Sequence, residues 1–405
     1  MRQLTDSSVQ SHSYAQAKSP AKPAVNAVVS LLGLSSRYVG GSESYLRELS
    51  WQLGENGWQS IICFLSEPPE VVRRYLDLPN VSIEVIENAV EPNPLALRDL
   101  ASVLRRYKPR ILHMQLVGFI GFYPWLARLL SVQKVFFTDQ GSHPSDYVAR
   151  RSPLWKRVAV RMINFPISKV ICISNYNHRC FATRGLLPAK RFDVIYNSVD
   201  FSRVEARSER KDGFRARYRI PNDRAVIVQV SWIIPEKGIT DLLHAVHLVM
   251  QEKERVHLVL AGEGPFRMEF MALAKDLGID DHVTWTGLVT DPFSEGVYDV
   301  AEIVCQVSRW QEAFGQTIAE AMACRKAVIG TRVGGIPELI EDGKSGYLVE
   351  ARDIEAIAEK ILLLLKCPEL RERMGNVAYA DAKARFDLKQ NVSRVMELYG
   401  LRPVN

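Results

Sequence analysis

Residues 302–349, EIVCQVSRWQEAFGQTIAEAMACRKAVIGTRVGGIPELIEDGKSGYLV, decide how the chain folds. The stretch opens on a short β-branched apolar run, Glu302–Val307, then passes through a polar loop carrying Glu312. A helix start follows near Phe314–Gly315, and apolar runs return at Ala327–Thr331 and Tyr347–Val349. Strands alternating with helical segments, at intervals too long for hairpins, form parallel sheets covered on both faces. Glycine at the helix start lets backbone N–H groups approach a phosphate closely. Glu320 lies one to two turns into that helix, on the same face as Gln316. A carboxylate there can accept hydrogen bonds from two neighbouring hydroxyls, as on a ribose. An isolated E-x7-E is ordinarily two solvated glutamates; the FG, AMAC and GGIPE context sets this one apart.

Outward from this stretch the same alternation runs through most of the chain. Upstream strands are expected at Val25–Leu32, Ser60–Leu65, Ser82–Glu87, Arg110–Gln115, Lys134–Thr138, Lys169–Ser174 and Asp193–Asn197. The charged stretch Phe201 to Arg219 reads as a linker with a short basic helix, after which strands restart at Ala225–Ser231, Val256–Gly262 and Val283–Gly287. We therefore expect an α/β protein of two Rossmann-like, doubly wound domains facing across a cleft, with ligands at the carboxyl ends of the strands. The expected boundaries are a disordered tail over 1–23, a first domain over 24–200 and a linker over 201–220. A second domain follows over 221–385, with a C-terminal return to the first over about 386–405.

Length and composition agree: 405 residues, 47% hydrophobic and 24% charged, describe an ordinary globular chain of about two domains. Collagen-like, disulfide-stapled and wholly disordered classes are excluded. No apolar run is long enough to span a membrane. The N-terminus lacks the apolar core of a secretory signal. The six cysteines form no CxxC pair, and three sit in strand-like runs. They read as reduced core thiols, which makes the cytoplasm the expected compartment. No Asp-x-Asp occurs, and His244-x-x-His247 lacks a nearby carboxylate, so no metal site is expected.

Several further motifs resemble one family. Gly40-Gly41-Ser42-Glu43 resembles a GG-x-E loop, VICISNYNHRC a V-x-x-x-S strand with Ser174 at the serine, and VIYNSVD a V-I-x-N-G-V-D with Ser198 in place of glycine. Pro235-Glu236-Lys237-Gly238, LVLAGEGP and the WTGLV loop match as well. With the E-x7-E segment they resemble the large family of retaining nucleotide-sugar glycosyltransferases of the GT-B fold (family 4-like, group 1). The resemblance covers nearly the whole chain after the tail. It implies an acceptor-binding first domain and a donor-binding second domain, with a nucleoside-diphosphate sugar as co-substrate and no resident cofactor. It implies that Gly40 and Gly41 let the backbone reach the diphosphate, which Lys237 neutralises. Phe314, Gly315, Gln316 and Thr317 would offer backbone amides, Glu312 would bind sugar hydroxyls, Glu320 would hold the ribose, and the loop at Val289 would frame the base.

Two further positions depart from the pattern. Trp232 stands where the family carries a diphosphate-gripping arginine and cannot replace it; either another arginine substitutes, Arg332 being a candidate, or donor binding is weaker, or the site is degenerate. Gln140 stands where relatives carry a histidine that helps place the transferred sugar. Glutamine can hydrogen-bond a hydroxyl but cannot carry a proton. His143 lies three residues on, and His113, at the end of ILHMQ, matches a family histidine near the cleft or is a satisfied core residue.

From Tyr147 to Phe192 there is no acid and there are ten Lys or Arg, including Arg150, Arg151, Lys156, Arg157 and Arg161. Interleaved with Leu154, Trp155, Val158 and Met162, they suit an anionic membrane surface or a phosphate-bearing acceptor. The same pattern also suits a helix whose apolar side is core. No nucleic-acid recognition motif accompanies the charge.

The expected function is transfer of a hexose or N-acetylhexosamine from a nucleoside-diphosphate sugar, UDP before GDP, without metal and with retention. The acceptor would be lipid-linked or a small glycoside. Alternatives are a non-catalytic nucleotide-sugar-binding relative, or an epimerase or phosphorylase on the same fold.

Overall fold

A computed structural model describes residues 26–204 and 208–403. The expected tail over 1–23 lies outside the described residues. The apolar runs become thirteen strands, with ends shifted by a few residues. The first sheet comprises β1 (Ala27–Leu32), β2 (Gln59–Phe64), β3 (Val81–Val85), β4 (Ile111–Gln115), β5 (Lys134–Asp139), β6 (Lys169–Cys172) and β7 (Phe192–Val194). The second comprises β8 (Ala225–Val230), β9 (Val256–Ala261), β10 (Val283–Gly287), β11 (Ile303–Gln306), β12 (Ala327–Thr331) and β13 (Tyr347–Val349). Strand order is β3-β2-β1-β4-β5-β6-β7 in one and β10-β9-β8-β11-β12-β13 in the other. All the ladders are parallel. Parallel sheets with helices between their strands need apolar residues on both faces, and every residue of β1 and β9 is buried.

In both sheets the chain order reverses, between β1 and β4 and between β8 and β11. Loops leaving two strands at such a switch point diverge and open a crevice at their carboxyl ends. The Gly40–Gly41 loop follows β1, the Lys237 turn follows β8, and the Glu312 loop follows β11. Topology thus sets the Lys237 turn beside the Glu312 loop, and the packing of the two lobes brings Gly41 to Gln316.

The charged stretch from Phe201 to Arg219 holds the short basic helix expected there, and that helix is built into the second lobe. It spans Ser208–Tyr218, and its Phe214 is packed into that lobe's core beside Val226 and Val228. Arg215 is buried there and donates to the carbonyls of Pro221 and Arg224. The helix Pro368–Phe386 places Ala378, Ala382 and Phe386 in that same core. The last helix, Leu388–Tyr399, lies instead on the first sheet, packing Val392, Val395 and Met396 against Val28, Ile111 and Phe136. Each such side chain is worth about 1.5–3 kcal/mol of burial. The chain crosses between lobes twice, side by side. Val199 donates to Phe386 O at 2.8 Å, and Leu388 donates back to Val199 O at 3.1 Å.

Candidate active site

The glycine loop after β1 is held by Glu43. Its carboxylate accepts from Gly40 N at 2.9 Å and from Ser36 Oγ at 2.6 Å. The acid of GG-x-E thus fixes the turn that opens the helix Gly41–Glu55. A methyl on Gly41 would lie 3.8 Å from Gln316 Nε2, so this loop faces the helix Gln316–Ala323 of the other lobe directly.

That helix starts at Gly315, whose φ of 113° lies outside the range of side-chain-bearing residues. The first amides of a helix have no intrahelical acceptor, which makes a helix start suited to an anion. Phe314 is buried against Phe386 and contributes only its backbone to the cleft. Thr317 Oγ1 donates to Val230 O at 2.8 Å, pinning the helix to β8.

Lys237 Nζ stands 2.6 Å from Glu312 Oε1 and 4.6 Å from the centre of the Trp310 ring. Ser308 Oγ donates to the same carboxylate oxygen at 2.5 Å. Burial alone would raise the Glu312 pKa; the charge and hydrogen bond of Lys237, with the hydrogen bond of Ser308, hold it below the ordinary value. The GGIPE motif explains how the Glu312 loop keeps its shape. A methyl on Gly334 would come within 2.0 Å of Glu312 O, and Gly335 N donates to that oxygen at 2.8 Å.

Glu320 accepts from Tyr298 OH at 2.5 Å and from Gln316 Nε2 at 3.1 Å. Burial raises its pKa, offset in part by those two donors. In this state its carboxylate is held by two protein groups that a ligand's hydroxyls would replace or join. The Val289 side chain is packed in the core beside Phe293, so at that position only backbone can face a base.

Trp232, 71% exposed, offers a ring and no cation. Arg332 does not replace the missing arginine: it pairs with Asp342 at 2.6 Å and Glu350 at 3.5 Å. Arg309, nearer the site in sequence, is held by both oxygens of Asp241. Gln140 lines a cavity in the first lobe that opens beside Gly41 and Gln316. His143 stacks on Tyr147 at 3.9 Å, and its backbone pairs with Gln311 of the second lobe.

His113 must be corrected from catalytic candidate to core residue. It is 0% exposed, with Nδ1 hydrogen-bonded to Tyr399 OH at 2.6 Å and Nε2 to Thr138 Oγ1 at 2.7 Å. Both ring nitrogens are engaged, so none remains for a substrate. Burial lowers its pKa to about 3. The unfolded chain therefore binds a proton between pH 6.5 and about 3 that the folded chain refuses, and stability falls as pH drops through that window. His113→Gln is expected to flatten the slope of unfolding free energy against pH, measured by urea titration. An unchanged slope would place the residue elsewhere.

Sequence reasoning missed Glu338, noted only as the end of GGIPE. Its carboxylate accepts from Asn175 N at 2.8 Å, Tyr176 N at 2.6 Å and Tyr196 OH at 3.2 Å. It clasps the start of the helix Asn175–Arg184 in the first lobe from the second. Its signal was the matched helix start at Ser174, whose side chain caps that helix.

The basic candidates lie away from this cleft. Arg150 and Arg151 precede the helix Leu154–Ile163, which carries Lys156, Arg157 and Arg161. Only Val160 of that helix is buried; Leu154, Trp155, Val158 and Met162 face outward, Trp155 at 73% exposure. The reading of its apolar side as core is thereby overturned. The neighbouring helix Tyr123–Leu129 adds exposed Trp125 and Leu129, and Trp125 stacks on exposed Phe165 with ring centres 6.4 Å apart. Among the described residues no helix is long and apolar enough to cross a membrane, and no cluster of His, Cys, Asp or Glu suits a metal ion.

Comparison with known proteins gives consistent matches along the chain. Residues 210–381 match the family described as Glycosyl transferases group 1, and residues 39–203 match Glycosyltransferase Family 4. The N-acetyl-alpha-D-glucosaminyl L-malate synthase of Bacillus anthracis is 28% identical over 367 residues, covering 89% of this chain and 94% of that protein. A glycosyltransferase structure from Rickettsia africae superposes with a TM-score of 0.78 at 22% identity, covering 92% of this chain and 97% of the other. Anabaena HepE in complex with UDP and glucose superposes at 0.74 and 20% identity, covering 92% and 99%. The fold is thus GT-B.

Proposed function

The chain belongs to the glycosyl transferases group 1, a transferase family, and from that premise we propose that it moves a hexose or N-acetylhexosamine from UDP to an acceptor hydroxyl, with retention and without metal. One observation carries this reading: Lys237 pairs with Glu312, Gln316 of the glycine-capped helix hydrogen-bonds Glu320, and Gly41 of the other lobe lies beside Gln316. Lys237 and the amides after Gly315 receive the diphosphate, Glu320 the ribose and Glu312 the sugar hydroxyls. The bond from the anomeric carbon to the phosphate oxygen breaks as the acceptor oxygen attacks from the same face. The acceptor's proton passes to that phosphate oxygen, whose charge Lys237 and the helix amides stabilise. UDP is favoured because the Anabaena neighbour was solved with UDP and glucose. Gln140 serves as a hydroxyl partner rather than a proton carrier. Incubation with UDP- and GDP-sugars in chelator, with mass-spectrometric product analysis, tests this. No transfer, no donor hydrolysis and no nucleotide binding would refute it, and an epimerised donor would reassign the chemistry.

The exposed aromatic and basic face formed by the helices Tyr123–Leu129 and Leu154–Ile163 supports docking on an anionic membrane. Apolar side chains enter the headgroup layer while arginines meet lipid phosphates. The protein is expected to sediment with phosphatidylglycerol vesicles at low salt and to release as salt screens the attraction. Trp125→Ser with Trp155→Ser should weaken this about tenfold or more. Equal binding to neutral vesicles, or none to anionic ones, would refute the docking surface.

A further inference from the structure

A cavity of about 210 Å³ lies in the first lobe, between the ends of β4, β5 and β6, the start of the helix Gly41–Glu55 and the last helix. Gly41 and Gln316, where the two lobes' proposed donor-binding elements meet, are among its lining residues. This volume is below the ~300 Å³ at which sites for drug-sized ligands begin, and it suits a single ring. None of its lining side chains is Asp, Glu, Lys, Arg or His. The floor is Ile171, Ile195 and Val395, and the polar groups are amides and hydroxyls.

Two of those amides are set as a complementary pair. Gln115, at the end of β4, is 4% exposed, and its Nε2 has no hydrogen-bond partner. A buried N–H left unpaired is costly, and Gln115 is one of the residues that line the cavity. Asn391 comes from the C-terminal helix, and its Nδ2 already donates to Tyr196 O and Arg385 O, each at 3.2 Å. What it offers the cavity is its oxygen. One wall therefore supplies a donor and another an acceptor, over an apolar floor.

Resting on the transfer reading above, we infer that this cavity seats an uncharged, hydroxyl-bearing ring of the acceptor, with Gln115 as a specificity-determining residue. A hydroxyl is both donor and acceptor and satisfies Gln115 and Asn391 together. A carboxylate or phosphate would be stripped of water there with no counter-charge. The cavity is therefore unsuited to an anionic acceptor such as the L-malate named for the Bacillus anthracis relative.

The test is ligand-observed NMR on the UDP-loaded protein. The neutral probes are glucose, N-acetylglucosamine and myo-inositol; the charged ones are glucuronate, glucose 6-phosphate and L-malate. At least one neutral compound should bind and the charged ones should not. Gln115→Leu should weaken that neutral compound about tenfold while leaving UDP affinity within about twofold. Charged compounds binding as well, no neutral compound binding, or Gln115→Leu disturbing UDP instead would overturn the inference with the donor reading intact. Failure of UDP itself to bind would strike the transfer reading.

Discussion

Lys237→Ala is expected to lower turnover by about 10²–10³-fold, the usual cost of removing one group that stabilises developing charge. Donor affinity should fall less, because the helix amides and Glu320 remain. The position explains the size of the effect. Arg332 and Arg309 are both committed to carboxylates, and Trp232 carries no charge, so Lys237 has no evident understudy. Its amine is held between Glu312 and the Trp310 ring, ready to exchange the carboxylate for a phosphate. Lys237→Arg should not rescue, since a planar fork does not occupy an ammonium's place. Steady-state kinetics with UDP titration separates the two effects. A drop confined to donor affinity would make Lys237 a binding residue only.

The second large effect is expected at Gly238. Its φ is 70°, and an added methyl would lie 1.8 Å from Val307 O, at the end of β11. The left-handed backbone alone costs a side-chain-bearing residue about 1–2 kcal/mol. The clash adds to this and must push the Pro235–Lys237 turn away from β11. A displacement of about 1 Å at a positioned group can cost ~10²-fold in rate. Gly238→Ala should therefore melt several degrees lower and lose most activity. Gly343→Ala is the control: φ there is 78°, yet nothing lies within 4 Å of the added methyl. It should carry the backbone cost and keep its activity. Equal losses in both variants would show that stability alone is responsible.

What the sequence disclosed was whatever is written in local pattern. Strands announced themselves through β-branched runs bounded by polar loops, and the donor motifs through fixed spacings, because parallel sheets and helix starts demand both. His113 was ambiguous because a histidine within a strand looks the same whether it faces the cleft or Tyr399. That partner lies 286 residues away, on the last helix. The helix Leu154–Ile163 misled in the opposite sense. Its apolar stripe fits a core face, and only the packing shows that its one buried member is Val160. Glu338 was overlooked because its two shortest hydrogen bonds come from backbone amides of the other lobe, which carry no residue signature. Phe214 likewise joined a core that the charged residues around it concealed.

The central claim is that one diphosphate is gripped by Lys237 and the helix start at Gly315, with the ribose on Glu320. A crystal structure of the protein with UDP tests it most directly. The account predicts phosphate oxygens within hydrogen-bond distance of Lys237 Nζ and of the Gly315–Thr317 amides, and ribose hydroxyls on Glu320. A nucleotide bound outside the crevice, or one that leaves Lys237 on Glu312 and Glu320 untouched, would contradict it.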